Sequence, residues 1–210
     1  MMRMVFLALA SVFMIALFAC TRPETITEPF VDDFERTQLG PNYNNTGGPY
    51  EPLNGKLHIS GAYNKPLWLK KKLPRNAVIE FEVTSKSQDG DIKIEAWGDG
   101  ESFATTKGAY LATSYVFIMG GWQNTISALC RLDEHGADRK TRSDFKVETN
   151  RTYRWKIKRQ GSEIEWFVDG THFLAIDDPQ PLEGERHSFF GFNNWQSDLF
   201  FDNLKITPLK

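Results

Sequence analysis

Cysteine is scarce in this chain: there are two in 210 residues, Cys20 and Cys130. A small scaffold stapled by several disulfides is therefore excluded. No Lys/Arg-rich run with interleaved aromatics occurs, and the formal net charge is -2, which argues against nucleic acid as a partner. The four histidines (His58, His135, His172, His187) show no ligand spacing, so a zinc site is not expected. Internal repeats, low-complexity tracts and amphipathic helices longer than about three turns are also missing. A long apolar run occurs at the N-terminus, Val5 to Phe18, and it falls short of the roughly 20 residues that span a bilayer.

What stands at that terminus is "MMRMVFLALASVFMIALFAC". A charge at Arg3, an apolar stretch and a small residue at Ala19 have the order of an export signal, residues 1-19. The segment "LFAC" resembles a bacterial lipobox through Leu17, Ala19 and Cys20. That resemblance implies that Cys20 is the lipid anchor, attaching the protein to the membrane through several acyl chains. Thr21 stands where an aspartate would imply inner-membrane retention, so the resemblance implies the outer membrane; a periplasmic or secreted protein is the alternative. Residues 20-29 read as a proline-bounded tether and 30-210 as one domain. A lipidated Cys20 leaves Cys130 without an intramolecular partner. A domain of 181 residues, 30-210, is large enough for a core without a disulfide.

Alternation dominates that domain. Ile79, Phe81 and Val83 share one face of "AVIEFEVTS"; Ile92, Ile94 and Ala96 oppose Lys93, Glu95 and Trp97 in "DIKIEAWG". Tyr153, Trp155 and Ile157 continue the pattern, as do Ile164, Trp166 and Val168. Period two predicts half-buried antiparallel strands. Asn54-Gly55, Asp89-Gly90, Asp99-Gly100, Gln160-Gly161 and Asp169-Gly170 supply the turns between them. About a dozen short strands at this spacing predict an all-β, two-sheet antiparallel sandwich.

"FVDDFER" near the start and "FFDNLKITPL" at the close resemble the terminal strands of concanavalin A-like lectin/glucanase jelly rolls, a group that includes laminin-G-like and 3-keto-disaccharide hydrolase domains. The resemblance implies that the two terminal strands lie together and that ligand sits on a concave sheet. It implies carbohydrate as the partner, while enzymatic activity stays open; a structural envelope lipoprotein that binds another protein is a third reading.

Several residue groups fit such a site. Glu80, Glu82 and Glu95 on the side of Trp97 read either as a sugar platform or as an ordinary polar strand face. The E-x-D-x-(x)-E motif of retaining laminarinases is broken, because Thr84 and Ser85 stand where its last acid belongs, so that mechanism is not expected. Under a hydrolase or lyase reading, Glu134 or His135 is the base to test first, with Glu80 and Glu95 next. "GGWQN" (Trp122, Asn124) and "FGFNNWQS" (Asn193, Asn194, Trp195) each pair tryptophan with side-chain amides, a combination suited to neutral glycans and also used to cap strands. Asp32, Asp33 and Asp202 are possible oxygen ligands for calcium if the terminal strands pair; no other cofactor is expected. The cross-strand charges between Arg154 and Glu165 predict an inert, ion-paired outer surface.

One stretch, "CRLDEHGADRKTR" from Cys130 to Arg142, has seven charged residues and a histidine between two strand-like runs. Periodicity places Cys130 in the core and a turn at Gly136, with "SDFKV" as the return strand. The turn is either a self-neutralising exposed hairpin or a lid that brings Arg131, Glu134, His135 and Arg139 over the ligand sheet, where arginine would bind uronate or sulfate.

Overall fold

The structure, a computed structural model, describes residues 22-108 and 110-210. Its strands are β1 (Phe30–Asp32), β2 (Tyr43–Asn45), β3 (Glu51–Leu53), β4 (Lys56–Ser60), β5 (Leu67–Leu69), β6 (Ala77–Ser85), β7 (Ile92–Gly98) and β8 (Tyr115–Gly120). They continue as β9 (Ile126–Arg131), β10 (Lys140–Arg142), β11 (Thr152–Gln160), β12 (Glu163–Val168), β13 (Thr171–Asp177), β14 (Phe189–Asn193) and β15 (Asp198–Pro208). Eight of them form one sheet in the order β13-β12-β11-β6-β15-β4-β3, with β1 also on β15; the other seven run β10-β9-β8-β7-β14-β5-β2. Every strand pair is antiparallel, and the two sheets make an all-β sandwich of jelly-roll type.

Alternation builds the layer between the sheets. From the eight-stranded sheet come Ile79, Phe81, Val83, Tyr153, Trp155, Ile157, Ile164 and Trp166; from the other come Ile92, Ile94, Tyr115, Phe117, Leu129, Phe190 and Phe192. Phe81 touches Trp155, Phe190, Phe192 and Phe201 at centroid distances of 5.3 to 6.3 Å. Tilted and edge-on rings at that spacing contribute about 0.5–1.5 kcal/mol per pair beyond the area they bury. The hairpin turn between β12 and β13 has φ 50° at Asp169 and 77° at Gly170, as a two-residue turn with both central residues left-handed requires.

The terminal strands meet as expected, with Phe30 opposite Ile206 and Asp32 opposite Leu204. The segment expected as a tether is docked at Thr25, which bridges to Lys72. There the Ile26 N–H donates to the Lys72 carbonyl at 2.9 Å and the side chain is buried. The export signal and Cys20 lie outside the described residues.

Two expectations about faces are corrected. Trp97 is in the core, not beside Glu95. The register of β7 against β14 slips between Phe189 (opposite Gly98) and Phe190 (opposite Ala96). Trp97 is the extra residue, at φ 56°, and this bulge turns it inward, where its Nε1 donates to the Pro74 carbonyl at 3.1 Å. In β9 it is Leu129 that enters the sandwich core. Cys130 is buried with Ala128, Val116 and Ile118 on the other side of the sheet. Leucine fills the space between sheets, and the smaller side chains leave room for covering loops. The return strand is β10, Lys140–Arg142, paired with Ser127 to Leu129; "SDFKV" carries no strand.

Candidate functional site

The outer face of the seven-stranded sheet buries charge. Lys93 and Glu95 alternate outward from β7, and both are covered. Lys93 Nζ donates to Glu134 Oε2 at 2.6 Å and to Asn64 Oδ1 at 2.9 Å, and its side chain is 3% exposed. Burial works to lower the lysine's pKa, but the carboxylates of Glu134 and Asp91 outweigh it and hold the pKa above the ordinary value. Lys93 is therefore a fixed ammonium.

Glu95 is fully buried and accepts from Ser114 Oγ at 2.6 Å, Tyr110 Oη at 2.9 Å and Asn193 Nδ2 at 2.7 Å. Desolvation pushes its pKa up to about 7 against the opposing pull of those donors. Its proton is thus poised near neutrality. Asp91, just before β7, also has its pKa raised by burial, and its Oδ2 accepts from the Trp195 N–H at 2.9 Å.

Above this floor is a cleft of about 380 Å³, lined among others by Asp89, Asp91, Lys93, Tyr110, Trp122, Glu134, His135 and Trp195. Two aromatic pairs border it. In one Trp195 meets Tyr63 edge-on at 5.1 Å, and Lys107 Nζ lies 4.2 Å from the Tyr63 ring. In the second Trp122 meets His135 edge-on at 5.8 Å and the Arg139 guanidinium lies 4.9 Å from the indole. Fixed aromatic planes beside hydrogen-bonding groups can stack on a pyranose and read its hydroxyls.

Trp122 is presented by an unusual backbone. Trp122, Gln123 and Asn124 have φ of 50°, 60° and 60°, three left-handed residues in a row. Asn124 holds that turn: its Oδ1 accepts from the Val147 N–H at 2.8 Å and its Nδ2 donates to the Val147 carbonyl at 2.8 Å. Gly90 packs so close to the turn that a Cβ there would lie 2.5 Å from the Gly120 carbonyl oxygen. Asn124 was expected to read ligand, but it positions the turn, because its amide is already occupied.

The charged hairpin folds over the outer face of the seven-stranded sheet, with fewer of its residues at the cleft than expected. Glu134 and His135 line the cleft. Arg139 Nη1 donates to the Glu134 carbonyl at 2.7 Å, closing the hairpin above Cys130, whose thiol is pushed up to about 12 by burial. Arg131 is diverted, donating to Asp178 Oδ2 at 2.9 Å and to the Gln180 carbonyl at 3.0 Å. It cannot serve the cleft, because the strand pleat sends it to the side opposite Cys130.

Other expectations separate in the same way. Asn193 belongs to the floor, while Asn194 braces the loop, accepting from the Ala62 N–H at 2.9 Å and donating to the Ser197 carbonyl. Glu80 and Glu82 lie on the eight-stranded sheet, in register with Lys156 and Arg154, so no platform of these acids with Glu95 and Trp97 exists. Asp32 is bound to Arg36 and Tyr43, Asp33 caps the Glu35 N–H, and Asp202 pairs with Lys56 at 3.1 Å. Among the described residues no acidic cluster suited to a metal forms, and these three aspartates do not converge. Sequence reading missed Lys93, Asp91, Tyr110 and Asn64. A lysine at a polar strand position looks solvated until a segment forty residues away covers it.

No protein-family model matches the chain, and no curated protein sequence does. Solved structures do match. The carbohydrate binding module CBM66 from Bacillus subtilis is similar with a TM-score of 0.58 at 14% identity, over 81% of this chain and 98% of that one. A laminarinase from Flavobacterium sp. UMI-01 is similar with a TM-score of 0.58 at 11% identity, over 85% and 99%. The Emp47p carbohydrate recognition domain gives 0.62 at 10% identity, over 85% and 94%. At such identities the likeness is one of fold.

Proposed function

We propose that the protein binds carbohydrate in the cleft on the outer face of the seven-stranded sheet. The observation that carries this reading is a cleft lined by two tryptophans, Trp122 and Trp195, together with buried, mutually bonded polar groups. Binding modules, lectins and glycan-cleaving enzymes among the structural neighbours support it. Trp195→Ala and Trp122→Ala are each expected to weaken glycan binding by about tenfold or more, equivalent to ~1.4 kcal/mol, while thermal unfolding shows a retained fold. Unchanged affinity in both variants would exclude the cleft.

A second reading is glycan cleavage by proton transfer, favoured by one observation: Glu134 Oε1 and His135 Nε2 lie 3.7 Å apart at the cleft surface. Lys93 already occupies Glu134 Oε2 at 2.6 Å, so binding without turnover is the leading reading. Incubating retained glycans with the protein should yield no new reducing ends and no unsaturated products. The same proposal includes attachment to the outer membrane through Cys20, supported by "LFAC". Incorporation of a radiolabelled fatty acid that is abolished in Cys20→Ala is the expected result.

A further inference from the structure

The charges around the cleft are unevenly committed. Asp89, Asp91 and Glu134 line it, and the basic residues of its described lining are Lys93 and His135. Lys93 is already occupied by Glu134 at 2.6 Å and Asn64 at 2.9 Å. Arg131 is bound to Asp178 at 2.9 Å, away from the site. The cations near the mouth rest on its walls, Arg139 at 4.9 Å from the Trp122 ring and Lys107 at 5.7 Å from the Trp195 ring. A carboxylate or sulfate entering would face several carboxylates in a partly desolvated space, where like charges repel strongly. Hydroxyl and ammonium groups instead find acceptors, since each carboxylate offers about four lone-pair positions. Ser197 Oγ, buried and without a hydrogen-bond partner, lines the same cleft.

From this imbalance we propose that the cleft seats an uncharged sugar or an amino sugar and rejects uronates and sulfated sugars. The proposal rests on the carbohydrate reading above and narrows it. It also reverses what the arginines in the sequence imply, because Arg131 is committed to Asp178 and Gln180 and Arg139 spends its Nη1 on the Glu134 carbonyl.

The test is a glycan array probed with the full chain in detergent, carrying neutral glucans, mannans, galactans and fructans, glucosamine oligomers, and matched uronate and sulfated oligomers. Calorimetry on the retained compounds follows. Retention of neutral or amino glycans, at least about tenfold tighter than their acidic counterparts, is the expected result. Equal or tighter binding of the acidic member of a pair overturns the charge inference and leaves carbohydrate binding standing. Retention of no glycan overturns both. Asp89→Lys, at an exposed position of the lining, is expected to narrow the discrimination against uronates by about threefold to tenfold; a discrimination unchanged by that reversal also counts against the proposal.

Discussion

On the eight-stranded sheet, Arg154 reaches Glu82 at 3.1 Å and Lys158 reaches Glu165 at 3.0 Å, with the Arg154 side chain 80% exposed. On the seven-stranded sheet, Lys93 reaches Glu134 at 2.6 Å with 3% exposure. The pairs are chemically alike and energetically different. Water screens the first kind, which contributes about 0–1 kcal/mol. The second is largely covered by a hairpin, with the Lys93 and Glu134 side chains 3% and 16% exposed, so losing one partner leaves a charge that water solvates poorly. One outer face is a solvated surface, and the other holds its charges fixed beneath a covering hairpin.

That contrast can be broken most severely at Lys93. Lys93→Met leaves Glu134, Asp91 and Glu95 facing one another, and a loss of about 3–5 kcal/mol of stability in urea denaturation is expected. A loss below about 1 kcal/mol would show that the pair is solvated like those on the other face.

Glu95 gives the next effect, through pH. Its folded pKa, about 7, lies above the ordinary 4.5, so the folded state binds its proton more tightly than the unfolded chain does. The stabilisation is fully present below about 4.5 and is lost as pH rises to about 7, a change of order 3 kcal/mol. Asp91 acts in the same direction. Glu95→Gln keeps the shape of the carboxyl and removes the proton, so the decline in stability between pH 5 and 8 should flatten. A wild-type protein whose stability rises over that interval would contradict the buried floor.

The smallest effect belongs to the open face. Arg154→Ala is expected to cost less than about 1 kcal/mol and to leave glycan affinity unchanged by calorimetry.

The strands were legible in the sequence because their signal is local: period two in β6, β7, β11 and β12, with turn residues between. Glu134 and His135 were legible for another reason, as chemistry in excess of what a turn needs. Trp97 was not, since its inward rotation depends on Phe189 and Phe190 pairing with Gly98 and Ala96, nearly a hundred residues along the chain. Lys93 was hidden similarly, because its burial is decided by Glu134, not by its neighbours in β7. Which face of β9 holds Cys130 was ambiguous because both faces of that strand are covered.

The left-handed turn from Trp122 to Asn124 bears on how ligand is met. Each such residue costs about 1–2 kcal/mol relative to a right-handed conformation, and that cost falls on folding, before any ligand arrives. The backbone that carries the indole is consequently set in the empty protein, and little main-chain freedom remains to be lost on association. Binding to this wall should therefore proceed in one kinetic step, with an amplitude that grows with ligand concentration and no slow rearrangement behind it.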